Sequence, residues 1–235
     1  MLQVQNTLYF TSKEMKKLLS LSDCHLMHER EKGNLPFIKK GNQFLYEVDD
    51  ETLVSNHDLA AQVINWYQNK HEIELDNTPT EVTSIKALAL LLKEILIPIN
   101  YKFGKITITY GFVSSKLNSY IQKNSRAGTY PSIDQHSSHE LNSNNISICD
   151  RGGIACDFYV SGFESKMNVI TNYIVSKLEF DKLYYYGSAR PIHISVSNAM
   201  QKHLQIMNES ANGRRIPGKK AYGDEAVSLA KELLT

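Results

Sequence analysis

The hydrophobic and polar positions of the chain predict short elements in the first 55 residues and longer helices and strands after residue 81. Thr11 followed by Glu14 is typical of a helix-capping box, and a second helix is predicted over residues 24–32. Two strand-like runs flank Gly41-Asn42, which predicts a hairpin. The first 55 residues therefore predict one small unit of two helices and a hairpin.

From residue 83 the pattern changes to longer periodic segments. Apolar residues recur at helical spacing from Ile85 to Leu96 and predict a helix that ends before Pro98. Further helices are predicted over 58–70, 114–121, 167–178 and 224–234, and strands over 106–109, 154–160, 183–186 and 192–196. This order predicts an α+β fold in which helices pack on a small antiparallel sheet. We expect four segments: a small domain over 1–55, a helix and linker over 56–80, the main domain over 81–208, and a basic loop with a C-terminal helix over 209–235.

Composition excludes several classes of protein. The chain has 235 residues, of which 42% are hydrophobic and 22% charged, and a formal net charge of +1. Such a balance creates no global field toward nucleic acid or membrane. No apolar run reaches the roughly 20 residues that a spanning helix needs, and the start shows no secretory signal. Three cysteines, an odd and sparse number, are no disulfide framework. We therefore expect a cytoplasmic protein with no membrane partner.

Three polar segments in the second half carry the candidate chemistry: residues 134–140, 152–158 and 190–195. Two histidines and one carboxylate near strand-like apolar residues suit one catalytic Zn²⁺ with an open fourth position. These residues predict a metal-dependent hydrolase. Cys149 and Cys156 are further soft ligands by chemistry. Cys156 alternates with Asp157 along a strand, however, and is expected on the opposite face.

The order of elements and motifs over residues 85–200 resembles the D-alanyl-D-alanine carboxypeptidase family, zinc peptidases that share the hedgehog-like fold. Four stretches carry the resemblance: the helix at 88–98, the strand and Gly-Phe turn at 106–112 with Leu117-Asn118, the Gly-x-Ala-x-Asp strand at 153–157, and Phe180-Asp181 leading to the His-x-Ser strand at 192–195. The resemblance implies a hedgehog-like sheet with packed helices.

The same resemblance implies the zinc ligands. Carried over by position, Asp157 and His193 are two of them, and the first ligand is His139 or His136. We favour His139. His136 then lines the site, because a His-x-x-His pair on a helix shares one face.

Two departures from the family pattern affect catalysis. Val113 stands where the family carries an arginine, and residues 184–190 contain no carboxylate to act as the base. Glu140 and Asp134 are the substitutes by sequence proximity. Tyr186 or Arg190 is a candidate to stabilise an oxyanion.

Residues 10–53 are similar to the winged helix-turn-helix of phage excisionases and MerR-type regulators. The resemblance implies that the second helix enters the major groove of DNA while the hairpin contacts the backbone. The residues it assigns to DNA are His25, His28, Arg30 and Lys32 on the helix and Lys39 and Lys40 on the hairpin. Glu29 and Glu31 would repel phosphate. The alternative is a small packing or protein-binding domain.

A second basic segment contains Arg214, Arg215, Lys219 and Lys220. We interpret it as a mobile loop that contacts phosphates, or as a solvated linker. The leading hypothesis is a cytoplasmic zinc hydrolase joined to a DNA-binding-like module, with a peptide-like or nucleic-acid-linked substrate in place of ordinary murein. The alternative is a nucleic-acid-binding or DNA-processing protein that retains the fold, with or without the metal. A phage lysin-type murein peptidase is the third.

Overall fold

The structure is a computed structural model that describes residues 2–4, 7–124 and 135–234. The chain forms two compact units, Met1–Ala61 and Gln62–Thr235. The division between them falls within one helix, α4 (Asp58–His71), which matches the helix predicted over 58–70. No helix in the described part of the chain is both long and apolar enough to cross a membrane.

The first unit is a four-stranded antiparallel sheet with three short helices. Its elements are β1 (Leu2–Val4), β2 (Thr7–Thr11), α1 (Ser12–Leu19), α2 (Asp23–Glu31), β3 (Phe37–Lys40), β4 (Gln43–Glu47) and α3 (Asp50–Asn56), with strand order β1-β2-β4-β3. The predicted capping box is confirmed, since Thr11 and Glu14 each accept a backbone N–H from the other. The hairpin around Gly41-Asn42 is confirmed as well. Strands β1 and β2 were not predicted.

The second unit is built on a mixed six-stranded sheet. Its further elements are α5 (Val82–Leu91), α6 (Ile97–Phe103), β5 (Ile106–Tyr110), α7 (Ser115–Asn124), β6 (Ile154–Val160), α8 (Met167–Lys177), β7 (Lys182–Tyr185), β8 (Ile192–Val196), β9 (His203–Glu209), β10 (Arg215–Ala221) and α9 (Gly223–Glu232). The strand order is β10-β9-β7-β8-β6-β5, and only the β7–β9 pair is parallel among these described strands. The α+β class is confirmed, but the sheet is larger than predicted and not purely antiparallel.

The two faces of this sheet differ in chemistry because successive side chains of a strand point to opposite sides. Ile154, Cys156 and Phe158 of β6 and Ile192 and Ile194 of β8 are fully buried, and helices α5 and α8 contact β6. The other face carries polar residues from every strand. Cross-strand pairing places these residues in a row: Tyr110, Asp157, His193, Tyr184, Gln205 and Lys220.

The helix predicted to end before Pro98 does not end there. A π-helical turn at Leu92–Leu96 joins α5 to α6, and Pro98 lies in the first turn of α6. Proline lacks the N–H that a continuous α-helix uses for its i to i−4 hydrogen bond, and the π-helical turn just before Pro98 interrupts that hydrogen-bond pattern. The π-helical turn therefore allows the helical backbone to continue through Pro98, a residue type that ordinarily ends a helix.

The predicted mobile basic loop is also wrong, because residues Arg215–Ala221 form strand β10 at the edge of the sheet. The register to β9 shifts between Pro217 and Lys220. An edge strand needs ladder hydrogen bonds on one side only, so it accommodates proline and a bulge. The proline, glycine and lysines that predicted a loop are therefore compatible with a strand in this position.

Candidate metal centre

One cluster of potential metal ligands is present in the described part of the chain, and it consists of His136, Asp157 and His193. One side-chain nitrogen or oxygen from each residue lies within 4.8 Å of the others. Asp157 Oδ1 is 2.7 Å from His193 Nδ1 and 3.6 Å from His136 Nε2. Both histidines are at least nine-tenths buried, while the Asp157 side chain is 26% exposed. Solvent therefore reaches the cluster at Asp157.

Two of the three side chains are placed by the sheet. Asp157 on β6 and His193 on β8 are direct cross-strand partners, and directly opposite residues share one face of an antiparallel pair. Tyr184 on β7 is the next residue in the row, and its ring stacks on His193 with centroids 4.9 Å apart and planes at 18°. The sheet register thus brings the carboxylate and the imidazole together and packs an aromatic ring against the imidazole.

His136 reaches the cluster from a turn that precedes β6 in sequence. Its Nδ1 lies 3.0 Å from the carbonyl oxygen of Gly111. Because a carbonyl only accepts, Nδ1 carries the proton and Nε2 keeps its lone pair for a metal. The backbone carbonyl of His136 accepts an N–H from Val113 at 3.0 Å, and Tyr110 meets the ring edge-on at 4.5 Å.

Hydrogen bonds from α4 and from Asn77 to the neighbouring residue Phe112 hold the carbonyl of Gly111 in place. The N–H of Phe112 donates to Val63 O at 2.9 Å, and the carbonyl of Phe112 accepts from the Trp66 indole and the Asn77 amide, both at 2.7 Å. A Cβ at position 111 would come within 2.2 Å of Val63 O, so only glycine allows this approach.

Asn77 falls in the stretch that was predicted to be a linker. Its side chain is buried, and besides the Phe112 carbonyl it contacts Ile64 O at 2.6 Å and Ser114 N at 2.7 Å. A buried side chain that makes three hydrogen bonds fixes the backbone around it, so this part of residues 56–80 belongs to the second unit.

The donors of the cluster fit a zinc ion. Two imidazole nitrogens and one carboxylate oxygen are a common catalytic set, and tetrahedral bonds of about 2.0 Å separate such ligand atoms by about 3.3 Å. The 3.6 Å between Asp157 Oδ1 and His136 Nε2 is close to that value. The 2.7 Å between Asp157 Oδ1 and His193 Nδ1 is a hydrogen bond, which a metal bound to both atoms would replace.

His139, the favoured first ligand, is not part of the cluster. Its Nε2 accepts the N–H of Gly153 at 3.1 Å. The segment from residue 135 to 139 is a run of turns in which Gln135 and Ser138 have φ of 66° and 49°, so the two histidines do not share a helix face. The structure places His136 where the prediction placed His139.

The predicted base Glu140 is used elsewhere. Its fully buried carboxylate accepts hydrogen bonds from Thr80 N at 3.1 Å, Thr80 Oγ1 at 2.6 Å and Glu81 N at 3.2 Å. These donors precede the first turn of α5, where a negative charge is favourable. Glu140 therefore stabilises the start of α5 and does not reach the cluster. Asp134, the other candidate base, lies outside the described residues.

The two predicted oxyanion residues lie in the segment between β7 and β8. Tyr186 is half-buried, while Arg190 is exposed and its backbone N–H donates to Gly187 O at 3.2 Å. The tyrosine that packs on a cluster histidine is Tyr184, two residues before Tyr186. The sequence analysis did not predict a role for Tyr184. Its place beside His193 depends on the pairing of β7 with β8, which the sequence alone does not give.

Most predicted DNA-contacting side chains of α2 already have protein partners. The Arg30 guanidinium lies 3.9 Å above the Phe44 ring and donates to Tyr46 Oη at 3.3 Å. Lys32 pairs with Glu29 at 3.3 Å, and His28 is 3.9 Å from Glu31. His25 is exposed on the same helix.

The remaining predicted nucleic-acid-binding residues lie on strands β3 and β10 or in the turn before β10. Lys39 and Lys40 are exposed on β3, and Arg214 is exposed in the turn before β10. Arg215 pairs with Glu209 at 2.8 Å across the β9–β10 ladder. Lys39 and Lys40, on opposite faces of β3, are therefore the more open of the two basic pairs, although Lys39 Nζ lies 5.6 Å from the Phe44 ring centroid.

The cysteines do not contribute ligands to the cluster. Burial raises the pKa of Cys149 to about 11, and burial raises the pKa of Cys156 well above its usual value. Neither thiol belongs to the cluster, which consists of His136, Asp157 and His193. Cys156 lies on the apolar face of the sheet, as its alternation with Asp157 predicts.

Comparisons of the chain with known protein families, characterised proteins and solved structures find no match. The chemistry of the cluster therefore rests on its own residues and their geometry.

Proposed function

We propose that the second unit is a zinc-dependent hydrolase in which His136, Asp157 and His193 hold the metal. The observation that carries the proposal is their convergence, within 4.8 Å, from three separate parts of the chain. A zinc ion bound by three protein ligands lowers the pKa of a bound water to about 7 and polarises a substrate carbonyl or phosphoryl group.

The protein's own residues divide the remaining work. Gly111 O orients His136 so that Nε2 faces Asp157, and Tyr184 and Tyr110 pack on the two imidazoles. The partial exposure of Asp157 leaves a route for substrate. Since Glu140 is engaged at α5, no separate carboxylate base is assigned. We propose a peptide-like or nucleic-acid-linked substrate, in keeping with the resemblance of residues 85–200 to zinc peptidases.

Metal content measured by mass spectrometry tests this proposal. We expect about one zinc per chain in the wild type and in His139→Ala, and loss of the metal in His136→Ala and His193→Ala. His139→Ala is the matched control, because it removes a neighbouring imidazole that lies outside the cluster. Circular dichroism checks that each variant is folded. A folded wild type without metal contradicts the proposal, and metal loss in His139→Ala alone would restore the ligand favoured from sequence.

For the first unit we propose DNA binding through the exposed Lys39 and Lys40 on β3. The double change to glutamine is expected to weaken binding of a labelled duplex at low salt by about tenfold, measured by fluorescence anisotropy. Lys32→Gln is the control with a small effect, since Lys32 is already paired with Glu29. If the affinity for the duplex does not fall as the salt concentration rises, the proposal is contradicted. Duplex binding by a folded wild type that holds no metal favours the alternative function, a nucleic-acid-binding protein.

A further inference from the structure

A buried histidine without partners lies on the same sheet face as the metal centre. His203, the first residue of β9, is 8% exposed, and neither ring nitrogen has a hydrogen-bond partner among the described residues. Its ring stacks on Tyr222 with centroids 4.4 Å apart and planes at 13°. Buried polar groups in proteins are nearly always hydrogen-bonded. An imidazole held in this way is suited to a ligand that comes from outside the chain.

Three cations surround this histidine. Lys182 is its direct partner on β7, and Lys220 on β10 pairs with Gln205, two residues along β9. Arg151 donates to Gln135 at 2.8 Å and lies 3.9 Å from the buried carboxylate of Asp181. Burial, Lys182, Lys220 and Arg151 all lower the pKa of His203, and Asp181 opposes them.

The charges of this cluster do not cancel. Three cations and one carboxylate leave a formal charge of +2 with His203 neutral. Neighbouring lysines are compensated, since Lys202 pairs with Glu179 at 2.7 Å and Lys219 pairs with Glu232 at 3.0 Å. Lys182 and Lys220, in contrast, take part in no ion pair among the described residues. A doubly charged anion balances such a cluster, and lysine and arginine donors with an imidazole N–H are typical phosphate ligands.

The pairing of β7 with β8 and β9 gives the distance between this cation cluster and the metal centre. Lys182 lies two residues before Tyr184 on β7, and Tyr184 is the direct partner of His193. With strands about 4.8 Å apart and about 3.3 Å per residue, the Cα atoms of His193 and His203 are about 12 Å apart. A ligand of moderate size that occupies the cation cluster therefore extends to the metal centre along one face.

We propose that Arg151, Lys182, His203 and Lys220 bind a phosphate group of the substrate, which makes the substrate of the hydrolase a phosphate-bearing molecule. The role in catalysis rests on the proposed hydrolase function. The binding of phosphate does not, and it can be measured by itself.

Titration with inorganic phosphate at low ionic strength tests the site, with calorimetry for affinity and NMR for the His203 ring. Wild-type protein is expected to bind saturably, and bound phosphate is expected to raise the pKa of His203, because an anion favours the imidazolium form. Lys182→Gln and Lys220→Gln are each expected to weaken binding at least about tenfold, the effect of one lost charge-assisted hydrogen bond. Lys219→Gln, a change of the adjacent lysine that already pairs with Glu232, should change affinity less than about twofold.

Further variants separate this site from the metal centre. Phosphate affinity is expected to persist in His193→Ala, and zinc content is expected to persist in Lys182→Gln. If the wild type contains zinc but does not bind phosphate saturably, the phosphate site is overturned and the hydrolase proposal stands. If it binds phosphate but contains no zinc, the hydrolase proposal is overturned and the phosphate site stands. If Lys219→Gln loses as much phosphate affinity as Lys182→Gln and Lys220→Gln, the binding is not specific to this site and the proposal is overturned. Acetate that binds as tightly as phosphate overturns the assignment to a dianion.

Discussion

Gly153→Ala is expected to lower the free energy of unfolding by at least about 3 kcal/mol. Gly153 has a φ of +103°, and a Cβ there would come within 2.1 Å of Val196 O and 2.7 Å of Gln135 Nε2. The carbonyl belongs to the backbone of β8, so the strand itself must shift to make room. Urea denaturation followed by circular dichroism measures the loss.

The same substitution is expected to empty the metal centre. Gly153 directly precedes β6, which carries Asp157, and the shift of β8 moves His193. The N–H of Gly153 also donates to His139, and the Gln135 amide donates to Gly152 O, so the turn that carries His136 is tied to this point. Zinc content below about one tenth per chain in folded Gly153→Ala is the expected result.

Gly162→Ala is the matched control. Gly162 has a φ of +82°, but a Cβ there would meet nothing within 4 Å. The change is therefore expected to cost only about 1 kcal/mol, the price of a left-handed backbone. Equal losses for the two variants would show that backbone conformation alone, and not the contact with β8, accounts for the effect.

Glu140→Ala is expected to destabilise the protein by about 3 kcal/mol. The substitution removes a fully buried carboxylate and leaves the N–H groups of Thr80 and Glu81 and the Thr80 hydroxyl, which are partly exposed, without their acceptor. Glu140→Gln keeps one acceptor oxygen and should lose less. Thermal and urea unfolding measure both.

Glu81→Ala provides the comparison for Glu140, because Glu81 stands at the start of α5 and its side chain makes no capping hydrogen bond. We expect a change within about 0.5 kcal/mol. If Glu140→Ala instead kept wild-type stability and lost only hydrolysis, the carboxylate would be the catalytic base that the sequence predicted, and its placement at α5 would be wrong.

The elements that follow a plain hydrophobic period were predictable. Strands β6 and β8 were predicted with their observed bounds, because continuous apolar runs bounded by glycine and proline are typical of buried strands. Strand β10 was not, since Pro217, Gly218 and the lysines belong to an edge whose pairing depends on β9. Local preference cannot reveal a partner that tertiary structure supplies.

Some residues of the candidate site were likewise predictable from the sequence, and others were not. Asp157 and His193 were predicted, and their strands bring them together. The choice between His136 and His139 depends on the left-handed backbone of Gln135 and Ser138, which no hydrophobic pattern displays because neither residue is glycine. The carbonyl of Gly111 that orients His136 is a backbone group, so no residue type marks it.

The irregular edge of the sheet has a consequence for self-association. An exposed edge strand is a template on which another chain can add a strand and begin an aggregate. On β10 the proline lacks a donor, the register shift between Pro217 and Lys220 interrupts the ladder, and Lys219 and Lys220 are exposed. A second molecule therefore finds no continuous row of donors and acceptors at this end of the sheet, and we expect β10 to disfavour edge-to-edge pairing between molecules.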